Sequence, residues 1–138
     1  MIELKNIHGE VIFSADVETV KEAVELAVSQ KVSLVHVDLF CEDLKGANLK
    51  GANLKYANLK YANLEGAKLS GAYMTCVNLS GADLTYARLR YAILDCAILH
   101  DAILSGADFT NASMKNVKMT PDELVYAALS ATNFPSIN

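Results

Sequence analysis

From Val37 onward a large apolar residue recurs at every fifth position, a spacing that neither an ordinary helix nor a lone strand can use. The series runs Leu39, Leu44, Leu49, Leu54, Leu59, Leu64, Leu69, Met74, Leu79, Leu84, Leu89, Leu94, Leu99, Leu104, Phe109, Met114 and Met119. Ala stands two residues before most of them, from Ala47 to Ala112, with Val77 and Val117 in two of these places. An α-helix with Leu at every fifth residue would advance about 500° per repeat and scatter Leu around its surface. A strand needs alternation at two. The spacing is satisfied if each five-residue unit is one side of a polygonal coil. Leu then points inward at mid-side, and the small Ala faces in where little room remains. One unit buries too little by itself, so stacking must supply the core.

The run GANLK GANLK YANLK YANLE GAKLS, Gly46 to Ser70, resembles the pentapeptide-repeat family, whose signature is A-(D/N)-L-x-x. About seventeen repeats, residues 37–121, carry the likeness. The resemblance implies an all-β solenoid, a right-handed quadrilateral β-helix with four repeats per coil, so that residues twenty apart stack. It also implies a bacterial or phage protein of the cytoplasm. An open solenoid end exposes apolar side chains and strand edges, so both ends need covers. Residues 1–31 read as a β-hairpin turning at His8-Gly9, then a helix capped by Asp16. Residues 32–119 form the β-helix. Residues 120–138 read as a short C-terminal helix and tail, because Thr120-Pro121-Asp122-Glu123 has the chemistry of a capping box with Pro at the first helical position. The five-residue spacing also continues through Leu124, Leu129 and Phe134 as further repeats; the helix is the preferred reading. Glu42 stands where Ala is expected; a buried carboxylate is one reading of it, and pairing with Lys31 or Lys45 is the plainer expectation.

Stacking at twenty turns the sequence into a surface map. Lys45, Lys50, Lys55 and Lys60 fall on four successive sides and make a basic girdle, not a one-sided patch. Ile93, Ile98 and Ile103 stand where other repeats carry Asn or Asp, and Tyr73 stacks beside Ile93. Contiguous apolar residues on a surface point to an interface, against the alternative that β-branched residues simply suit strand ladders. A competing contact, for dimerisation, is Leu124, Leu129 and Phe134. Cys76 and Cys96 lie one coil apart, at about the 4.8 Å strand spacing, which permits a disulfide; two reduced thiols are the expectation. With His100 round the next corner, those cysteines lack the convergence a metal needs. His8, His36 and His100 are isolated, and no catalytic, cofactor or phosphate-binding motif stands out.

The function expected is therefore non-enzymatic: a rigid module that binds a protein partner or a second copy, without cofactor, nucleic acid or membrane. The family's quinolone-resistance type offers an alternative, since its members resemble B-DNA, dimerise through their C-terminal ends and bind DNA gyrase. About four and a quarter coils make a rod of roughly 20 Å, along which duplex DNA would carry roughly 12 negative charges. Between residues 37 and 120 the chain has eight acids and nine bases. DNA mimicry does not fit that balance.

Overall fold

A computed structural model describes residues 1–136, and its elements follow from where the five-residue period starts and stops. Ahead of it, β1 (Ile2–Lys5) and β2 (Val11–Ala15) pair antiparallel, Ile2 opposite Ala15, with an irregularity between Leu4 and Lys5. The Asn6 side chain holds the turn by accepting from the N–H groups of His8 and Glu10. Gly9 takes φ 83°, a backbone state open chiefly to glycine. Helix α1 (Val20–Ser29) follows. Its cap is Thr19, not the expected Asp16: Thr19 is extended and its hydroxyl accepts from Glu22 N–H at 3.1 Å. Asp16 lies a turn too early to reach those orphan donors.

Then the coil begins. Each second-position residue of a pentapeptide forms a parallel bridge with the one twenty positions on, from Asp38 with Asn58 to Ile98 with Lys118. Four pentapeptides therefore close one turn. Counted from Asp38, Asp43, Asn48 and Asn53, they define a first, second, third and fourth side. The corners are equally regular, because every fifth residue from Lys31 to Asn116 has φ between 56° and 69°. The coil thus reaches back one unit ahead of Val37, with Leu34 fully buried in the core place.

A repeat such as Ala47-Asn48-Leu49-Lys50-Gly51 shows why these residue types recur. Ala47 N–H closes a turn on Leu44 carbonyl, Leu49 N–H donates to Lys68 carbonyl, and Gly51 N–H donates to Ser70 carbonyl in the next coil. The fourth N–H has no backbone partner. The Asn48 side-chain oxygen accepts it at 3.4 Å, and Asp38, Asp43, Asn53, Asn58, Asn63, Asn78, Asp83 and Asp108 do the same for their own repeats. Asn or Asp at the second position thus completes the repeat's hydrogen bonding. The first and third positions turn inward: Leu44 to Leu104 and Ala47 to Ala97 are essentially inaccessible. Each buried Leu contributes about 2 kcal/mol of transfer free energy.

The two ends differ. At the start, Asp38 N–H donates to Lys5 carbonyl and Ile7 N–H to His36 carbonyl, which ties the hairpin to the first coil. Leu4, Ala23, Val24 and Ala27 join the coil's core. Glu42 makes no ion pair among the described residues; Lys45 instead reaches Glu65, 3.6 Å away on the same side. Glu42 is partly buried, and burial, reinforced by Asp38, raises its carboxyl above the usual 4.5. At the far end, α2 (Pro121–Ser130) has a complete capping box between Thr120 and Glu123. It replaces a single pentapeptide over the second side. Thr132 then re-enters the ladder on the third side, bridging Asp108. The offset there is twenty-four instead of twenty, so the helix inserts into the coil as well as covering it. The last two residues of the 120–138 segment lie outside the described range.

Candidate interaction surface

The apolar residues singled out from the sequence do not form one face. Tyr73 and Ile93 bridge each other on the fourth side, while Ile98 bridges Asn78 on the first and Ile103 bridges Asp83 on the second. Three isoleucines on three sides wrap the rod, and no flat partner could touch all of them. Ile93 and Ile98 are only half exposed; Tyr73 and Ile103 are more open, at 45% and 46%. All three isoleucines give up the side-chain acceptor that Asn or Asp provides to the fourth N–H.

Near Tyr73, Lys55 Nζ lies 5.7 Å from its ring centroid. Cys76 and Cys96 occupy the neighbouring corner column, and both are free thiols. Burial pushes the Cys76 thiol up, and the charge and hydrogen bond of Cys96 push it further. A raised thiol is a poor nucleophile at neutral pH. His100 is engaged elsewhere, its Nδ1 standing 3.3 Å from Glu123 Oε1.

At the C-terminal end the three expected residues part company. Phe134 packs edge-on against Phe109, with centroids 5.2 Å apart, and so helps close the core. Leu124 is half-buried, whereas Leu129 is 82% exposed. Beside it stand Val125 at 61% and Tyr126 at 57%, which the five-residue spacing passed over. Their signal lay in the unbroken apolar run from Leu124 to Leu129. A helix resting on one flank cannot bury six consecutive residues. Only Ala127 is fully inaccessible. A cavity of about 320 Å³ remains between α2 and the last coil, lined by Ala102, Leu104, Met119 and Tyr126 among others.

What fixes α2 is polar. Glu123 accepts from Thr120 N–H at 2.9 Å and from Asp101 N–H at 2.6 Å, besides meeting His100. Burial opposes its ionisation, but these donors outweigh burial and bring its carboxyl down to about 2. Tyr126 Oη lies 3.4 Å from Ser105 Oγ. The helix is pinned at its first turn by Glu123 and at its last by Gly106 N–H, which donates to Ser130 carbonyl at 2.8 Å. Val125 and Leu129 are left facing outward, and Tyr126 sits at the mouth of the cavity.

Among the described residues, no helix is long and apolar enough to cross a membrane, and no group of three His, Cys, Asp or Glu could hold a metal ion. The model of the family described as pentapeptide repeats matches residues 43–71, 62–95 and 82–120. No curated protein matches the chain. Among solved structures, the pentapeptide-repeat protein Rfr23 from the cyanobacterium Cyanothece 51142 is 30% identical over 62% of this chain, with a TM-score of 0.60. The chain spans 58% of Rfr23's length. The pentapeptide-repeat protein alr5209 from Nostoc Pcc 7120 is 26% identical, with a TM-score of 0.53, over 91% of this chain and the whole of its own. QnrB1, a plasmid-mediated fluoroquinolone resistance protein, is 15% identical over 67% of this chain and 76% of its own, with a TM-score of 0.33, and carries no argument about function. With the family model spanning more than half of its length and the twenty-residue ladder running through the same residues, the chain belongs to the pentapeptide-repeat proteins, a family of right-handed β-helices.

Proposed function

We propose that this chain is a non-enzymatic interaction rod, a right-handed quadrilateral β-helix covered at both ends, which binds a protein partner through the outer row of α2. One observation carries the reading: α2 leaves Val125, Tyr126 and Leu129 mostly exposed while burying only Ala127 completely. Clustered exposed apolar residues on a rigid support mark a contact surface. The helix is locked by Glu123, so little ordering entropy opposes docking.

A second copy is the first partner to test. Light scattering after gel filtration should give a dimer whose mass falls to that of a monomer in Val125→Asp/Leu129→Asp. A wild-type monomer at every concentration, with the same proteins captured by wild type and variant, would remove the reading. The gyrase-inhibitor alternative needs a strongly acidic side. The most acidic is the second, with Glu42, Asp43, Glu65 and Asp83 against Lys45, far short of the roughly 12 charges of an equal length of duplex.

A further inference from the structure

The basic residues, taken side by side, are not spread evenly. Lys45, Lys50, Lys55 and Lys60 do ring the first coils. Adding the later repeats changes the picture on the third side alone. There the second-position column reads Asn48, Lys68, Arg88 and Asp108, consecutive partners in the ladder. The fourth-position column reads Lys50, Ser70, Arg90 and Thr110. Four exposed bases thus face one way against one acid. With −4 for the whole chain and +3 on this side, the remainder carries −7.

The side is also shaped. Lys50, Ser70, Tyr86, Arg88, Arg90 and Asp108 line a hollow of about 470 Å³. Tyr86 and Tyr91 stand at the two corners that bound the Arg88 repeat, 69% and 63% exposed. Tyr86 is held in place: its ring lies across Gly106, where a Cβ would meet it at 2.5 Å. Among the described residues, no carboxylate comes within 4.0 Å of Lys50, Lys68 or Arg88. Arg90 only just reaches Asp108, which is mainly engaged by Thr110. From α1, Glu25 approaches the lower end of the side and accepts from Asn48 N–H.

We infer that the third side is a docking face for a short acidic polypeptide segment, read by Arg88 and Arg90 with Tyr86 and Tyr91 at the flanks. Arginine offers paired donors that fit a carboxylate, and Tyr and Arg are the residues that dominate binding energy at interfaces. Length separates this partner from nucleic acid. The bases span two coil spacings, about 10 Å, whereas strong backbone binding uses six or more phosphate contacts along a track. A long polyanion would overhang onto surfaces carrying the other −7, while a short acidic segment would not.

The test is fluorescence anisotropy at low ionic strength with fluorescein-labelled octaglutamate, beside labelled oligothymidylate of equal charge. Octaglutamate should bind more tightly, and Arg88→Glu/Arg90→Glu should weaken it at least tenfold. Lys55→Glu/Lys60→Glu makes the same charge change on the fourth and first sides and should shift it less than about twofold. All four residues lie outside the core, and circular dichroism checks that each variant keeps its fold. The Val125→Asp/Leu129→Asp variant should bind octaglutamate like wild type, so this inference stands or falls apart from the α2 reading. It is overturned by no binding, by equal losses in the two charge-reversal variants, by tighter oligothymidylate binding, or by loss of self-association in the arginine variant. The last outcome would make the acidic second side of another copy the occupant.

Discussion

Both ends of the rod carry a ten-residue helix tied to the coil by a carboxylate, Glu25 in α1 and Glu123 in α2, but the two helices differ in how much apolar surface they bury. Helix α1 commits Ala23, Val24 and Ala27 to the core, all inaccessible. Helix α2 commits Ala127 alone and depends on the carboxylate of Glu123. The carboxylates reflect this. Glu42, in the first coil, has no ion pair among the described residues and is raised; Glu123, over the last, is well supplied with donors and lowered to about 2. An apolar closure cannot be released without exposing the core. A polar closure holds a helix firmly while leaving its apolar side chains free to meet something else.

The largest expected effect tests that contrast directly. Val24→Asp buries an unpaired charge against the first coil and should cost about 4 kcal/mol or more, a large part of a small domain's stability. Ala127→Asp makes a similar change in α2. It should release that helix while the coils keep their far-ultraviolet dichroism, because a repeat array loses an end without losing its middle. Equal global unfolding in both variants would show that α2 closes the core as α1 does.

Next in size is Glu123→Gln, expected to destabilise by about 2 kcal/mol at neutral pH, since the amide keeps the shape but loses the charge that three donors favour. The sign follows from the lowered carboxyl. Its contribution is complete above 4.5 and disappears as pH falls toward about 2. Urea denaturation at neutral pH and at pH near 3 should therefore show the gap between wild type and variant closing with acid. A gap independent of pH would mean that Glu123 acts through packing rather than charge.

The period of five is enough to locate Leu44 to Leu104 in the core and to assign each residue to a side, because stacking is arithmetic once the period is known. Tyr73 beside Ile93 follows from that arithmetic, as does the third side, though Lys68, Arg88 and Arg90 emerge only when bases twenty apart are grouped. What the period cannot convey is how a helix consumes chain. Leu124 and Leu129 continue the spacing, yet α2 turns by 3.6 residues and puts them in unlike surroundings. Thr132 resumes the ladder four residues late for the same reason. The cap at Thr19 instead of Asp16 is likewise local: both are good acceptors, but α1 starts at Val20, so only Thr19 stands next to the orphan donors. The expected ion pair of Glu42 with Lys31 or Lys45 is absent among the described residues, because stacking and not distance along the sequence sets which charges meet. In the fold Lys45 stacks with Glu65, one coil on.

The smallest effect concerns that residue. Burial, with help from Asp38, makes ionised Glu42 less comfortable in the fold than in the unfolded chain. The penalty is absent below 4.5, grows as pH rises through the raised value, and is constant above it. Glu42→Gln removes the charge and should stabilise at neutral pH by about 0.5 kcal/mol or less, with no difference from wild type in acid. Its pH dependence is thus a gain that fades on acidification, where Glu123→Gln shows a loss that fades. Precise urea midpoints at neutral pH and near pH 3 can resolve the two. If Glu42→Gln instead destabilised at neutral pH, ionised Glu42 would have a favourable partner. The first coil would then be held by charge as the last one is, and the contrast between the ends would reduce to the burial of α1.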